Sequence, residues 1–250
     1  MKVLVGVMGC EKNAASGLHR SIRETWGKDF SVIPTESGLS IDVLYFVGRG
    51  YHPLLEDEPR LDVPDDKDNL LYKVVGICRW ALDHGYDSIF KVNTSSYVNV
   101  AEVLKTGHWR FDYAGAVVGR LGEKYSGTDA YGFIQGSASW LSAKAARIVV
   151  GDALSFALHH KDEWMRWNGW IAPYLHSEDL WIAQVLTPYL SQMRIATDQG
   201  YGNGPLTWWS QSNYTKCYKM DEWLQRLHGA RPNVERMRAI DAEYPKGWQT

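Results

Sequence analysis

Glu178 and Asp179 stand side by side in "SEDLWIA", between Ser177 and an apolar run. The pattern predicts a helix with Ser177 as its N-cap and both carboxylates in the first turn, where the dipole favours their ionised form. An ionised Asp in a cleft can take a proton from an attacking hydroxyl. The same two acids also serve as ordinary capping residues, and the segment alone does not separate these readings. Arg20 and Arg23 lie three residues apart in "LHRSIRETWG", on one face of a helix predicted over 18–27. Paired guanidiniums suit a diphosphate, which they grip through parallel hydrogen bonds. With Glu24 four residues after Arg20, they equally suit a solvated face. Asn69 and Lys73, at i and i+4, form a polar stripe continued by Gly76, which leaves room for close approach or simply marks the wet side. Finally, "KVNTSSYVNV" (91–100) ends a strand-like run on four small polar residues, Asn93, Thr94, Ser95 and Ser96.

The elements that must position these residues alternate along the first half of the chain. "KVLVGVM", "IDVLYFVG" and "YDSIFKV" read as buried strands, with a helix over 18–27 and another over "DKDNLLYKVVGICRWALDHG" between them. In the second of these helices Leu70, Leu71, Val74, Val75, Cys78, Ala81 and Leu82 recur at helical spacing, and Gly85 stops it. The segment "GCEKNAASG" reads as a loop, as does the Pro- and acid-rich stretch 50–66. This order predicts an α/β fold with parallel crossovers. Further on, "YAGAVVG" and "GFIQGSASWLS" read as strands, "AKAARIVVGDAL" as a helix, "MRIAT" as a short strand and "MDEWLQRLHG" as a helix closed by Gly229. One domain over 1–229 is expected, with 230–250 an amphipathic appendage. Ligands of open α/β sheets bind beyond the carboxyl ends of the strands. That puts loop 9–17, the loop after Val47 and the stretch 93–99 at the site.

The bulk composition narrows the partners. Twenty-seven basic against 29 acidic side chains give a net charge of −2, no electrostatic reason to bind a long polyanion tightly. Twelve Trp and 14 Tyr suit sugar or base faces as well as a packed core. Of these, Trp208 and Trp209 in "TWWSQSNY" are candidates for an acceptor-stacking platform. No apolar run reaches the ~18 residues needed to span a bilayer. Cys10, Cys78 and Cys217 are widely spaced, which predicts no disulfide framework and a cytoplasmic setting. His159-His160 reads as a helix-end pair rather than a metal site, His176 as a cap or an acceptor-cleft residue, and Lys91 as a pairing residue across the sheet end.

Taken in order, these pieces resemble the inverting beta-1,3-glycosyltransferases of the galactosyltransferase and Fringe type, over about residues 2–229. "HRSIRETWG" looks like R-x-x-I-R-x-T-W through Ile22, Arg23, Thr25 and Trp26, with His19 at the first Arg and Arg20 offset by one. "DDKDNLLYKV" resembles D-x-Y-x-N-L-T-x-K-T through Asp65, Asn69, Leu70 and Lys73. "GSASWLS" is similar to G-G-x-Y-x-L-S through Gly136, Leu141 and Ser142. "SEDLWIA" resembles E-D-V-x-x-G through Glu178 and Asp179. The family's K-x-D-D-D-V-F-V-N motif is matched by Lys91, Tyr97, Val98 and Asn99, but its three acids are replaced by Asn93, Thr94 and Ser95.

The resemblance implies a GT-A fold: a Rossmann-like nucleotide-binding sheet, mixed but mostly parallel, with an acceptor-binding half. It implies transfer of a hexose or N-acetylhexosamine from a nucleotide sugar, usually UDP-linked, to a glycan, protein or modified-base acceptor. Asp179 would be the base with Glu178 beside it. Arg20, Arg23, Asn69, Lys73, Asn93, Thr94, Ser95 and Lys216 would face the donor, and Gly136, Ser137, His176, Trp208 and Trp209 the acceptor. The family's Mn²⁺ or Mg²⁺ loses its acidic ligands here, since neutral amide and hydroxyl oxygens hold a hard cation poorly. Three expectations follow: a metal-independent transferase in which cationic side chains replace the ion, a degenerate module that binds nucleotide sugar, glycan or a protein partner without turnover, and a transferase whose metal is held elsewhere.

Overall fold

The computed structural model describes residues 1–32, 38–51, 53–118, 120–123, 132–160 and 177–198, and the backbone of 207–209. Strand β1 (Lys2–Met8) is followed by short helices α1 (Glu11–Ala15) and α2 (Leu18–Ile22), a π-helical turn (Arg23–Gly27) and α3 (Lys28–Val32). Then come β2 (Ser40–Phe46), α4 (Leu70–Asp83), β3 (Ser88–Asn93), β4 (Ser96–Val98) and α5 (Val100–Lys105). β5 (Tyr113–Val118), β6 (Phe133–Ser142), α6 (Ala143–His159), α7 (Glu178–Leu186), β7 (Ile195–Thr197) and β8 (Thr207–Trp209) complete the described elements.

Six strands form one sheet in the order β2-β1-β3-β6-β5-β7. The β1–β2, β1–β3 and β5–β7 pairs are parallel, while β6 runs antiparallel to both its neighbours. Five strands therefore point one way and β6 alone is reversed. The fold is α/β, a mixed sheet flanked by helices and compatible with a Rossmann-like arrangement, as the alternating pattern predicts. Among the described residues, no helix is long and apolar enough to cross a membrane.

Each face of the sheet buries its own cluster. Leu4, Met8, Phe46, Ile89, Tyr113 and Leu141 pack beneath α4, α6 and α7 on one side. Val3, Val5, Val7, Phe90, Val92 and Trp140 pack against Ile22, Trp26, Phe30 and Val103 on the other. This period-two split explains why the strands read as continuous apolar runs: both faces are covered. Gly6 admits α4 closely, since a Cβ there would lie 3.1 Å from Ile77 Cγ2.

Two local expectations are corrected. The predicted loop 9–17 contains helix α1, none of whose residues is buried. The single helix predicted over 18–27 is broken: Thr25 leaves helical geometry at φ −109°, ψ −118°, and a π-turn carries Trp26 into the core. There Trp26 meets Phe30 edge-on at 6.3 Å between centroids. Gly27 permits the turn, because a Cβ would fall 2.7 Å from both the Ile22 carbonyl and the Tyr45 hydroxyl. The predicted helix over 221–229 and the appendage over 230–250 lie outside the described residues.

Candidate functional site

Met8, Phe46 and Asn93 are in register, so the three parallel strands end together and their loops meet at one rim. Asp65, from the stretch read as a polar loop, ties that rim together. Its carboxylate accepts the amides of Glu11 and Gly48, each at 2.6 Å, and pairs with Lys73 Nζ at 2.8 Å. Lys73 also donates to the Gly9 carbonyl at 2.9 Å. The stripe Asn69–Lys73–Gly76 is thus not the wet side of α4. Lys73 is 2% exposed, and the space above Gly76 is taken by Leu61. Asn69 donates its side-chain amide to Asp66.

The polar stretch after β3 is divided between neighbours. The Thr94 hydroxyl accepts from Asn13 Nδ2 at 2.6 Å, and the Ser96 hydroxyl donates to the Ser137 carbonyl at 3.1 Å. β4 pairs with β8, setting Ser96 opposite Trp209 and Tyr97 opposite Trp208 along the backbone. Asn93 Oδ1 and Ser137 Oγ are buried without a hydrogen-bond partner. Val92 faces Ala138 across the ladder, so Asn93 and Ser137 follow at adjoining positions on β3 and β6.

On the same face, two residues before Asn93, the Lys91 ammonium is sealed in the interior. It donates to Glu178 Oε1 at 2.8 Å and to the Gly136 carbonyl, with both charged side chains no more than 5% exposed. Glycine at 136 leaves room for both acids, since a Cβ there would lie 2.4 Å from Glu178 Oε1 and 3.3 Å from Asp179 Cβ. Gly136 N donates to Asp179 Oδ2 at 3.0 Å and Leu180 N to Oδ1 at 2.9 Å. Among the described residues no cation lies within ion-pair distance of Asp179. Burial, then the adjacent Glu178 charge, push its carboxyl up to about 6 against the pull of the two amides and Lys91. Ser177 occupies the N-cap position, but its side chain makes no cap hydrogen bond.

The two arginines are drawn elsewhere. Arg20 is exposed and pairs with Glu24 at 2.7 Å. Arg23 donates twice to Asp57, at 2.6 Å each, and to Glu58 at 2.8 Å, with its guanidinium 4.2 Å from the Tyr45 ring centroid. Glu58 also accepts from buried His19 Nδ1 at 2.9 Å. Burial would raise the Glu58 carboxyl, but Arg23, the Leu55 amide and His19 outweigh it and hold the group below its usual range. His19, dominated by burial, is held below its own usual value. The structure therefore gathers Lys73, Asn93, Thr94, Gly136, Ser137, Glu178 and Asp179 at the strand ends, and does not gather Arg20 or Arg23 into a paired clamp. His159 and His160 close α6, their Nδ1 atoms 2.7 and 2.9 Å from the Ser155 and Phe156 carbonyls, as a helix-end pair would. His176 and Lys216, and the side chains of Trp208 and Trp209, lie outside the described residues.

A divalent cation does not fit the donors at 93–95. They are one amide and two hydroxyls, all neutral, and the Thr94 hydroxyl is already engaged. Among the described residues no group of three or more His, Cys, Asp and Glu is placed to hold a metal. Sequence reasoning missed two features, Glu178 as the partner of the expected pairing residue Lys91, and the Asp65 clamp. Both signals were present as a lysine inside an apolar strand and an acid at the end of a Pro-rich loop. The chain matches no protein-family model and no curated protein.

Proposed function

We propose that this chain is an inverting glycosyltransferase of GT-A type that transfers a hexose or N-acetylhexosamine from a nucleotide sugar, UDP-linked, to an acceptor hydroxyl. The observation that carries the reading is Asp179. It is a carboxylate at the rim of an α/β sheet, oriented by two backbone amides and lifted to about 6. A base poised near neutrality is what deprotonation of a sugar or protein hydroxyl asks for. In this reading the acceptor oxygen attacks the anomeric carbon as its proton passes to Asp179. The bond from that carbon to the phosphate oxygen breaks, and the nucleoside diphosphate leaves with the electron pair, inverting the centre. Asn93 and Ser137, with unpartnered buried oxygens at adjoining strand positions next to Gly136, offer hydrogen bonds to the sugar hydroxyls. Lys73 is a cation at the rim, and a diphosphate would compete with Asp65 for it. No step is assigned to a metal.

A second reading, a module that binds a nucleotide sugar, glycan or protein partner without turnover, is favoured by one observation. Arg23 and Lys73 are already neutralised by Asp57, Glu58 and Asp65, which leaves less positive charge for a departing diphosphate. A panel of nucleotide sugars, assayed for transfer and hydrolysis with and without EDTA, decides between them. The expected result is donor-dependent turnover that persists in EDTA and falls about 10²–10⁴-fold in Asp179→Asn. Turnover undiminished in that variant would remove Asp179 as the base. A melting-point shift without turnover would leave the binding module. Neither turnover nor a shift with any donor would end both readings.

A further inference from the structure

We propose that Lys91 is a positioning residue for Asp179: its buried ammonium, held between the Glu178 carboxylate and the Gly136 carbonyl, fixes both the place and the charge state of the neighbouring carboxyl. The inference rests on the assignment of Asp179 as the base.

The geometry is a short relay. Lys91 grips Gly136 through its carbonyl, and the amide of the same residue donates to Asp179 Oδ2. Lys91 also holds Glu178, the residue directly before Asp179, at 2.8 Å. One ammonium thus secures both sides of the Asp179 carboxylate, the strand residue that hydrogen-bonds it and the helix turn that carries it. Placement and electrostatics come from the same atoms. Glu178 alone would push its neighbour towards the protonated acid, and Lys91 cancels much of that charge at close range.

The other groups facing this cluster do not supply the cancelling charge. Tyr113, on β5, is buried near both acids, and its hydroxyl accepts the Ile134 amide at 3.4 Å. Burial pushes the Cys78 thiol of α4, beside Lys91, up to about 12, so it stays neutral. Asp65 and Lys73, further along the rim, neutralise each other. Lys91 is the only cation within ion-pair distance of either acid among the described residues.

The test is a pH titration of the full chain, labelled with ¹³C at its Asp and Glu carboxyl carbons, as wild type, Lys91→Met and Glu178→Gln. Assignment follows from the signals lost in Asp179→Asn and Glu178→Gln. Adjacent carboxyls titrate as a pair, so the quantity to read is their upper step. Removing the cation is expected to move that step to higher pH by about one unit or more. Removing the acid while keeping Lys91 is expected to move the Asp179 step to lower pH. Opposite displacements support the positioning role, and an Asp179 step unmoved in both variants overturns it. Should Lys91→Met not fold, the same substitution is titrated in the Glu178→Gln background, where no carboxylate loses its partner: an Asp179 step above that of Glu178→Gln alone supports the proposal and one equal to it overturns it. Where wild type turns over a donor, the acid limb of its kcat/KM profile moves with the titration. Absence of turnover with every donor defeats the transferase reading but leaves the titration result standing, so the two failures are distinguishable.

Discussion

Asp179 combines two properties that work against each other. Burial and the adjacent Glu178 charge push its carboxyl up to about 6 from the ordinary 3.8, so between those values the native state holds a proton that the unfolded chain has released. The native state binding more protons means that stability falls as pH rises through this window, and the penalty is complete above it. Asp179→Asn removes the penalty. The variant's stability relative to wild type should therefore be more favourable at pH 8 than at pH 4, by up to about 3 kcal/mol, read from urea unfolding at the two pH values. The same substitution abolishes the proposed chemistry. A relative stability independent of pH would mean that Asp179 titrates normally and is no better a base than any surface acid.

At the scale of elements, the contrast between Arg23 and Lys91 shows what spacing reveals and what it hides. The strands and the apolar face of α4 follow from period alone, because Leu71, Val74, Val75, Cys78 and Ala81 can be buried together only on a helix. Spacing also put Arg20 and Arg23 on one helix, but it held no information about Thr25, where that helix breaks, nor about Asp57 and Glu58, 34 and 35 residues further on. Long-range ion pairs decide the fate of a charged side chain, and they are set by topology rather than by neighbours in sequence. For the same reason spacing left open whether Lys73 faced a ligand or solvent, and it read Lys91 as a pairing residue without naming its partner, although both are sealed in the interior. Arg23→Met should cost about 3 kcal/mol, because it leaves Glu58 buried without its strongest partner. Thermal unfolding would register this as a melting point several degrees lower. If Arg23 instead serves the donor, nucleotide affinity measured by calorimetry would collapse while stability changed little.

Across the whole molecule, the parallel strands β2, β1 and β3 finish at a common level, and the one reversed strand, β6, threads Gly136 and Ser137 back to that same rim. That reversal explains how a residue 43 positions away from Asp179 comes to orient it. Lys73→Met tests the rim as a ligand surface. Removal of this cation at the strand ends should weaken binding of a nucleoside diphosphate about tenfold, measured by calorimetry at fixed ionic strength. Affinity equal to wild type would place the diphosphate away from α4.

Asp65 has a consequence of its own. The loops leaving β1 and β2 and the first turns of α4 all answer to this one carboxylate. An anion that draws Lys73 away would leave Asp65 held by the Glu11 and Gly48 amides alone, so occupancy would be felt at once along both connections. Deuterium uptake at those two amides should accelerate in step, roughly tenfold or more, when Asp65 is replaced by Asn, because a charged acceptor that served both is gone.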